Sequence, residues 1–257
     1  MAVDVADAAL GPPARRPELW RRSLAEALGT GFLAAVVVGS GIAAQRLSPG
    51  DVGLQLFENA AATAVGLVAI ILTFGPVSGA HLNPVVSLAD AAFGGIAGRD
   101  LAAYLPAQVA GACGGALLAN AMFGAPVWEL STRTRTGGGV WLAEAVATVG
   151  LLLVVFAVAR SGRTSAAPFA VGAYIGGAYF WTSSTAFANP AIVTGRMLSN
   201  TFAGIKPSSA PGFIAFELVG LVVGAVLVKL LYPDIAEVAD TVVLPAEPDL
   251  LALRVEG

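Results

Sequence analysis

Asparagine followed by proline and an apolar residue occurs twice in this chain, as Asn83-Pro84-Val85 and Asn189-Pro190-Ala191. Asparagine is a strong helix N-cap, and proline fits the first helical turn, where its missing N–H would be unpaired anyway. Each pair therefore opens a helix. The carboxamide oxygen can cap that helix while the NH2 group remains a donor, suited to a passing hydroxyl or water oxygen. Two carboxylates, Glu26 and Glu144, sit in matching tripeptides, Ala25-Glu26-Ala27 and Ala143-Glu144-Ala145, each at the start of a long apolar stretch. A carboxylate at membrane depth is costly and marks a functional or structural site. The single histidine, His81, lies two residues before Asn83.

The elements that must position these groups follow from composition. Of 257 residues, 56% are hydrophobic and 12% are charged, against roughly 25% charged in soluble domains. The mean hydropathy is +0.78. This is the composition of a polytopic membrane protein, and the net charge of −3 gives no indication of nucleic-acid binding. Six apolar stretches are long enough to span a bilayer: about 18–43, 55–77, 100–123, 139–160, 167–184 and 212–232. Two shorter ones, about 83–93 and 190–200, follow the Asn-Pro pairs. Eleven helical residues rise about 16 Å, half of a roughly 30 Å hydrocarbon core. Neither can cross alone.

The chain thus divides into halves, about 18–123 and 139–232, each with the order span, span, half-helix, span. Three spans per half invert one half relative to the other. An inverted repeat with broken helices at corresponding positions places a pathway at the bilayer midplane. Residues 1–17 read as a disordered cytoplasmic leader and 233–257 as an acidic cytoplasmic tail, around one domain at 18–232. The positive charges before and at the start of the first span, Arg15, Arg16, Arg21 and Arg22, put both termini in the cytoplasm. Cys113 is the one cysteine, so no disulfide forms within the chain, and one histidine cannot make a multi-histidine metal site.

The run Val77-Ser78-Gly79-Ala80-His81-Leu82-Asn83-Pro84, together with Phe187-Ala188-Asn189-Pro190-Ala191, closely resembles the aquaporin and aquaglyceroporin family over residues 18 to 232. The resemblance implies an all-α membrane fold of six transmembrane helices plus two re-entrant half-helices, assembled as a homotetramer with one pore per subunit. It implies a pore constriction at Asn83, Pro84, Val85, Asn189, Pro190 and Ala191, with His81 lining the cytoplasmic half of the pore. It also implies that Glu26 and Glu144 brace the two re-entrant loops. Val85 replaces the usual alanine and reads as a packing variant.

The resemblance further implies a selectivity filter at Thr63, Gly177, Ala186 and Ile192, the last at a position where the family usually has arginine. These four are smaller or less polar than the usual sets, so the expected filter is wide, uncharged and largely apolar. Arg196 lies four residues beyond Ile192, on the same helix face. It stands either as a positive charge at the outer mouth or as an interfacial or loop-bonding arginine. The segment from Thr182 to Ile205 resembles a bacterial aquaglyceroporin branch associated with arsenic-resistance operons.

That branch implies a passive channel in the cell inner membrane for small neutral solutes, trivalent metalloid hydroxides such as arsenite and methylated arsenicals above all, with glycerol and water as further permeants. No cofactor is implied, and the lipid bilayer is the expected surrounding. An ordinary glycerol or water facilitator is the alternative within the family. A proton-coupled secondary transporter, using Glu26 or Glu144 as coupling acid, is the alternative of another class. An enzyme is not expected, because no set of nucleophile, base and orienting group occurs in the chain. Glu217 in the last span has no evident counterpart, and the loop 124–138 with Arg133 and Arg135 has no evident path.

Overall fold

The structure is a computed structural model describing residues 16–235, so the leader (1–17) and the tail (233–257) lie almost wholly outside the described residues. It is all-helical there. The first half comprises α1 (Leu19–Leu47), α2 (Val52–Ser78), α3 (Pro84–Phe93) and α4 (Gly98–Met122). The second comprises α5 (Gly138–Arg160), α6 (Ala167–Trp181), α7 (Pro190–Arg196) and α8 (Ala210–Leu231).

Among the described residues, five helices are long and apolar enough to cross a bilayer, not six. The exception is α6, with 15 residues, which rise about 22 Å. The 3₁₀ turn Thr164–Ala166 runs directly into it and adds about 6 Å, so the two together approach the thickness of the hydrocarbon core. The stretch 167–184 is therefore helical only to Trp181, where Thr182 turns extended. The stretch after the second Asn-Pro pair also shortens, because α7 closes at Arg196 rather than continuing to 200.

Corresponding helices pack alike in the two halves. α1 lies against α4 and α2, as α5 lies against α8 and α6. Each half-helix also touches the last helix of the other half, α7 on α4 and α3 on α8. Close approach rests on small residues, as expected where lipid supplies no hydrophobic drive between helices. A Cβ at Gly111 would overlap the Ala27 carbonyl, and one at Gly115 would overlap that of Gly31. In the second half, a Cβ at Gly220 would come within 2.5 Å of the Ala145 carbonyl oxygen. At one end of the α1–α4 contact, Arg22 pairs with Asp100 through two bonds of 2.7 and 3.1 Å, both residues buried.

Candidate functional site

The two half-helices begin at Asn83 and Asn189, as their Asn-Pro starts require. Asn83 accepts from the Val85 N–H at 3.0 Å through its side-chain oxygen. Asn189 accepts from the N–H groups of Ala191 and Ile192 at 3.1 and 3.3 Å. The chain approaches each asparagine by the same unusual route. Ala80 and Leu82 before the first, and Ala186 and Ala188 before the second, all have positive φ, between 45° and 53°. Each pair sits three and one residues before its asparagine. Left-handed backbone at non-glycine residues costs roughly 1 kcal/mol or more apiece and persists only where the surroundings enforce it.

The glutamates do the enforcing. Glu26 accepts from the backbone N–H groups of His81 and Leu82 at 3.0 and 2.7 Å. Glu144 accepts from those of Phe187 and Ala188 at 3.0 and 2.8 Å. A serine five residues before each asparagine adds a matching bond, Ala80 N–H to Ser78 and Ala186 N–H to Ser184. The last span of each half completes the brace. In α4, Gln108 donates to Glu26 at 2.8 Å and to Ser87 at 2.9 Å. In α8, Glu217 accepts from the Asn189 N–H at 2.8 Å and lies beside Glu144. Glu217 thus has a counterpart after all: it is Gln108, an amide where the other half has an acid.

The two halves meet through their asparagines. The Asn83 side-chain N–H donates to the Ala188 carbonyl at 2.7 Å, and that of Asn189 donates to the Leu82 carbonyl at 2.8 Å. Each carboxamide therefore caps its own helix, ties down the opposite loop and retains a second N–H. Both asparagines line a cavity of about 890 Å³, solvent at its openings included, which is walled by residues of both halves. His81 lines it too, with its Nδ1 3.0 Å from the Ser87 hydroxyl and its Nε2 3.5 Å from an Asp90 carboxylate oxygen. Pro84, Val85, Pro190 and Ala191 do not line it: Val85 and Ala191 are fully buried, Pro84 is buried and Pro190 half-buried. Neither Glu26 nor Glu144 reaches the cavity wall.

Three of the four filter positions line this cavity: Thr63, Ala186 and Ile192. Gly177 does not. It is exposed on another face of α6, and Tyr179 lines the cavity instead, its hydroxyl 3.2 Å from that of Thr63. Two residues turn a helix by about 200°, so the two positions look in opposite directions. A charged residue joins these uncharged positions in the cavity wall. Arg196 is 2% exposed and lines the same cavity. Its guanidinium carbon stands 3.3 Å over the centre of the Phe187 ring, and its Nε donates to the Ala203 carbonyl. Arg196 thus bonds a loop and faces the cavity at once.

The loop after α4 lies across this end of α7. Its Ser131 N–H donates to Met197, and its Arg133 carbonyl accepts from Lys206. Arg135 donates to the Gly204 and Phe202 carbonyls at 2.9 and 3.1 Å. Burial, and secondarily Arg133, lowers the Arg135 guanidinium to about 10, which leaves it cationic at neutral pH. Among the described residues, no group of three or more His, Cys, Asp or Glu is placed to hold a metal ion.

The family model for the major intrinsic proteins matches residues 13–184. An aquaglyceroporin, AqpS, of Rhizobium meliloti is 49% identical over 214 residues, covering 83% of this chain and 91% of that protein. A glycerol uptake facilitator of Pseudomonas aeruginosa is 32% identical over 228 residues, covering 76% of this chain and 80% of that one. The X-ray structure of the aquaglyceroporin from Plasmodium falciparum superposes with a TM-score of 0.66 at 22% identity, covering 85% of this chain and 99% of that one. At that identity the match speaks for the fold.

Proposed function

The chain belongs to the major intrinsic protein family of passive membrane channels, and we propose that its cargo is small neutral hydroxylated solutes, trivalent metalloid hydroxides among them, with glycerol and water as further permeants. The observation that carries this reading is the reciprocal tie between the asparagines and the opposite loops, inside a cavity walled by both halves. A neutral solute passing there exchanges a few water hydrogen bonds for the spare carboxamide N–H groups. The rest of the wall is mainly aliphatic, with Leu33, Val37, Leu67 and Val171 in it. A cation finds no replacement for its hydration shell on such a wall.

The placement of the glutamates favours a channel over a proton-coupled transporter. Both are fully buried behind the wall and occupied by backbone N–H groups, so neither meets a solute. For the metalloid cargo, the support is the resemblance of the segment 182–205 and the short side chains at Thr63, Ala186 and Ile192. Arsenous acid is uncharged at neutral pH and presents three hydroxyls in a glycerol-sized volume. Assembly as a homotetramer in the inner membrane, with both termini cytoplasmic, is part of the same proposal.

Proteoliposomes containing the protein take up arsenous acid and glycerol faster than empty liposomes; equal rates for both solutes remove the proposal. Ile192→Arg adds a second guanidinium one turn below Arg196 and narrows the passage. Glycerol flux then falls by about tenfold relative to water flux, as read by stopped-flow light scattering. An unchanged ratio places Ile192 outside the narrow part of the path.

A further inference from the structure

The residue at the usual filter-arginine position is Ile192, yet a guanidinium still enters the cavity, from one helical turn further along. Arg196 is held there by two contacts that leave most of it unused. Its Nε is taken by the Ala203 carbonyl and one flat face by Phe187. Among the described residues, no hydrogen bond engages its two terminal nitrogens, and neither is sealed from the cavity. No carboxylate of a described residue lies within 4 Å of it. A guanidinium does not shed its proton, so the charge persists in the wall.

A planar pair of free donors matches two oxygens on one solute. Tyr179 lines the same cavity as Arg196, and its hydroxyl is joined to that of Thr63. These two hydroxyls can donate or accept as a solute requires. Phe187 and Ile192 supply the apolar remainder of the wall.

We propose that Arg196 is the specificity-determining residue of this cavity: its terminal nitrogens donate to paired hydroxyl oxygens of a neutral solute, with the Thr63–Tyr179 hydroxyls of the same wall as further partners, and its charge turns cations away. The site takes compounds carrying two or more hydroxyls on one small frame. This rests on the channel reading above.

The test uses the full-length protein in proteoliposomes, with water, glycerol and methylammonium as probes. Arg196→Leu lowers the glycerol-to-water flux ratio and raises methylammonium entry, each by about tenfold, the loss of one charged hydrogen bond. Arg196→Leu combined with Ile192→Arg restores the methylammonium barrier, because the charge returns without the Ala203 bond. Arg196→Lys, the variant to read if Arg196→Leu fails to incorporate, keeps the methylammonium barrier and loses about tenfold in the glycerol ratio. Glycerol ratio and methylammonium entry at wild-type values in Arg196→Leu, or a wild-type glycerol ratio in Arg196→Lys, overturn the proposal. Wild-type protein without glycerol flux fails differently, since it removes the channel reading itself.

Discussion

Glu26→Ala abolishes glycerol flux and yields a protein that unfolds well below the wild-type temperature. Four donors converge on this carboxylate: the Ser78 hydroxyl at 2.6 Å, the His81 N–H at 3.0 Å, the Leu82 N–H at 2.7 Å and the Gln108 amide at 2.8 Å. The residue is fully buried, so water does not replace it. A buried donor left without a partner costs about 1–3 kcal/mol. Losing several at once is a large part of the roughly 5–15 kcal/mol by which folded proteins are stable. The functional loss has a more local cause. Ala80 and Leu82 are left-handed, and the N–H groups that Glu26 holds are at or next to them. Released, the loop relaxes and withdraws the Leu82 carbonyl from Asn189. Glu26→Gln keeps the volume but replaces one acceptor oxygen by a donor among donors, and so lies between alanine and wild type. Thermal unfolding in detergent and flux in proteoliposomes read the two effects. Wild-type flux in Glu26→Ala contradicts the bracing role.

Gly115→Val leaves no correctly assembled protein, whereas Gly114→Val, one residue away, is tolerated. At Gly115 the added Cβ would overlap the Gly31 carbonyl oxygen, a backbone atom that cannot rotate aside. Overpacking a core against movable side chains costs about 1–3 kcal/mol, and here the obstacle is the α1 main chain itself. Helices α1 and α4 must part, which also draws Gln108 away from Glu26. Gly114 is exposed on the outer face of α4, where an added Cβ would meet nothing within 4 Å. Size-exclusion profiles of the two variants in detergent check the contrast. Similar monodisperse peaks for both would show that α1 and α4 do not need this closeness.

The features that repeat are readable from the sequence. Asn83 and Asn189 start helices because asparagine and proline each favour that position locally. Glu26 and Glu144 stand out because a carboxylate in an apolar stretch needs a reason. What stays hidden depends on how irregular backbone carries the register from one element to the next. Counting back from Asn189 to Gly177 crosses Thr182 to Ala188, which include three left-handed residues. Helical counting fails over such a segment, and Tyr179 is the residue that turns inward. Thr63 lies within the continuous helix α2 and does line the cavity. Glu217 has no partner visible in the sequence because its counterpart, Gln108, differs in chemistry and only shares a place. Arg196 is legible as a charge on the right helix face. Its inward course follows from Phe187 and Ala203, two contacts set by loops on either side of α7.

Two opposed half-helices, joined through Asn83 and Asn189, border the cavity that solute must cross. The rate of glycerol entry into proteoliposomes, followed as the glycerol gradient is raised with the proton gradient collapsed, tells whether uncharged molecules pass there by an open path. An open path gives a rate that climbs in proportion to the gradient and does not depend on protons. A rate that saturates and disappears with the proton gradient would mean that solute is carried by an alternating transporter, and would contradict this account.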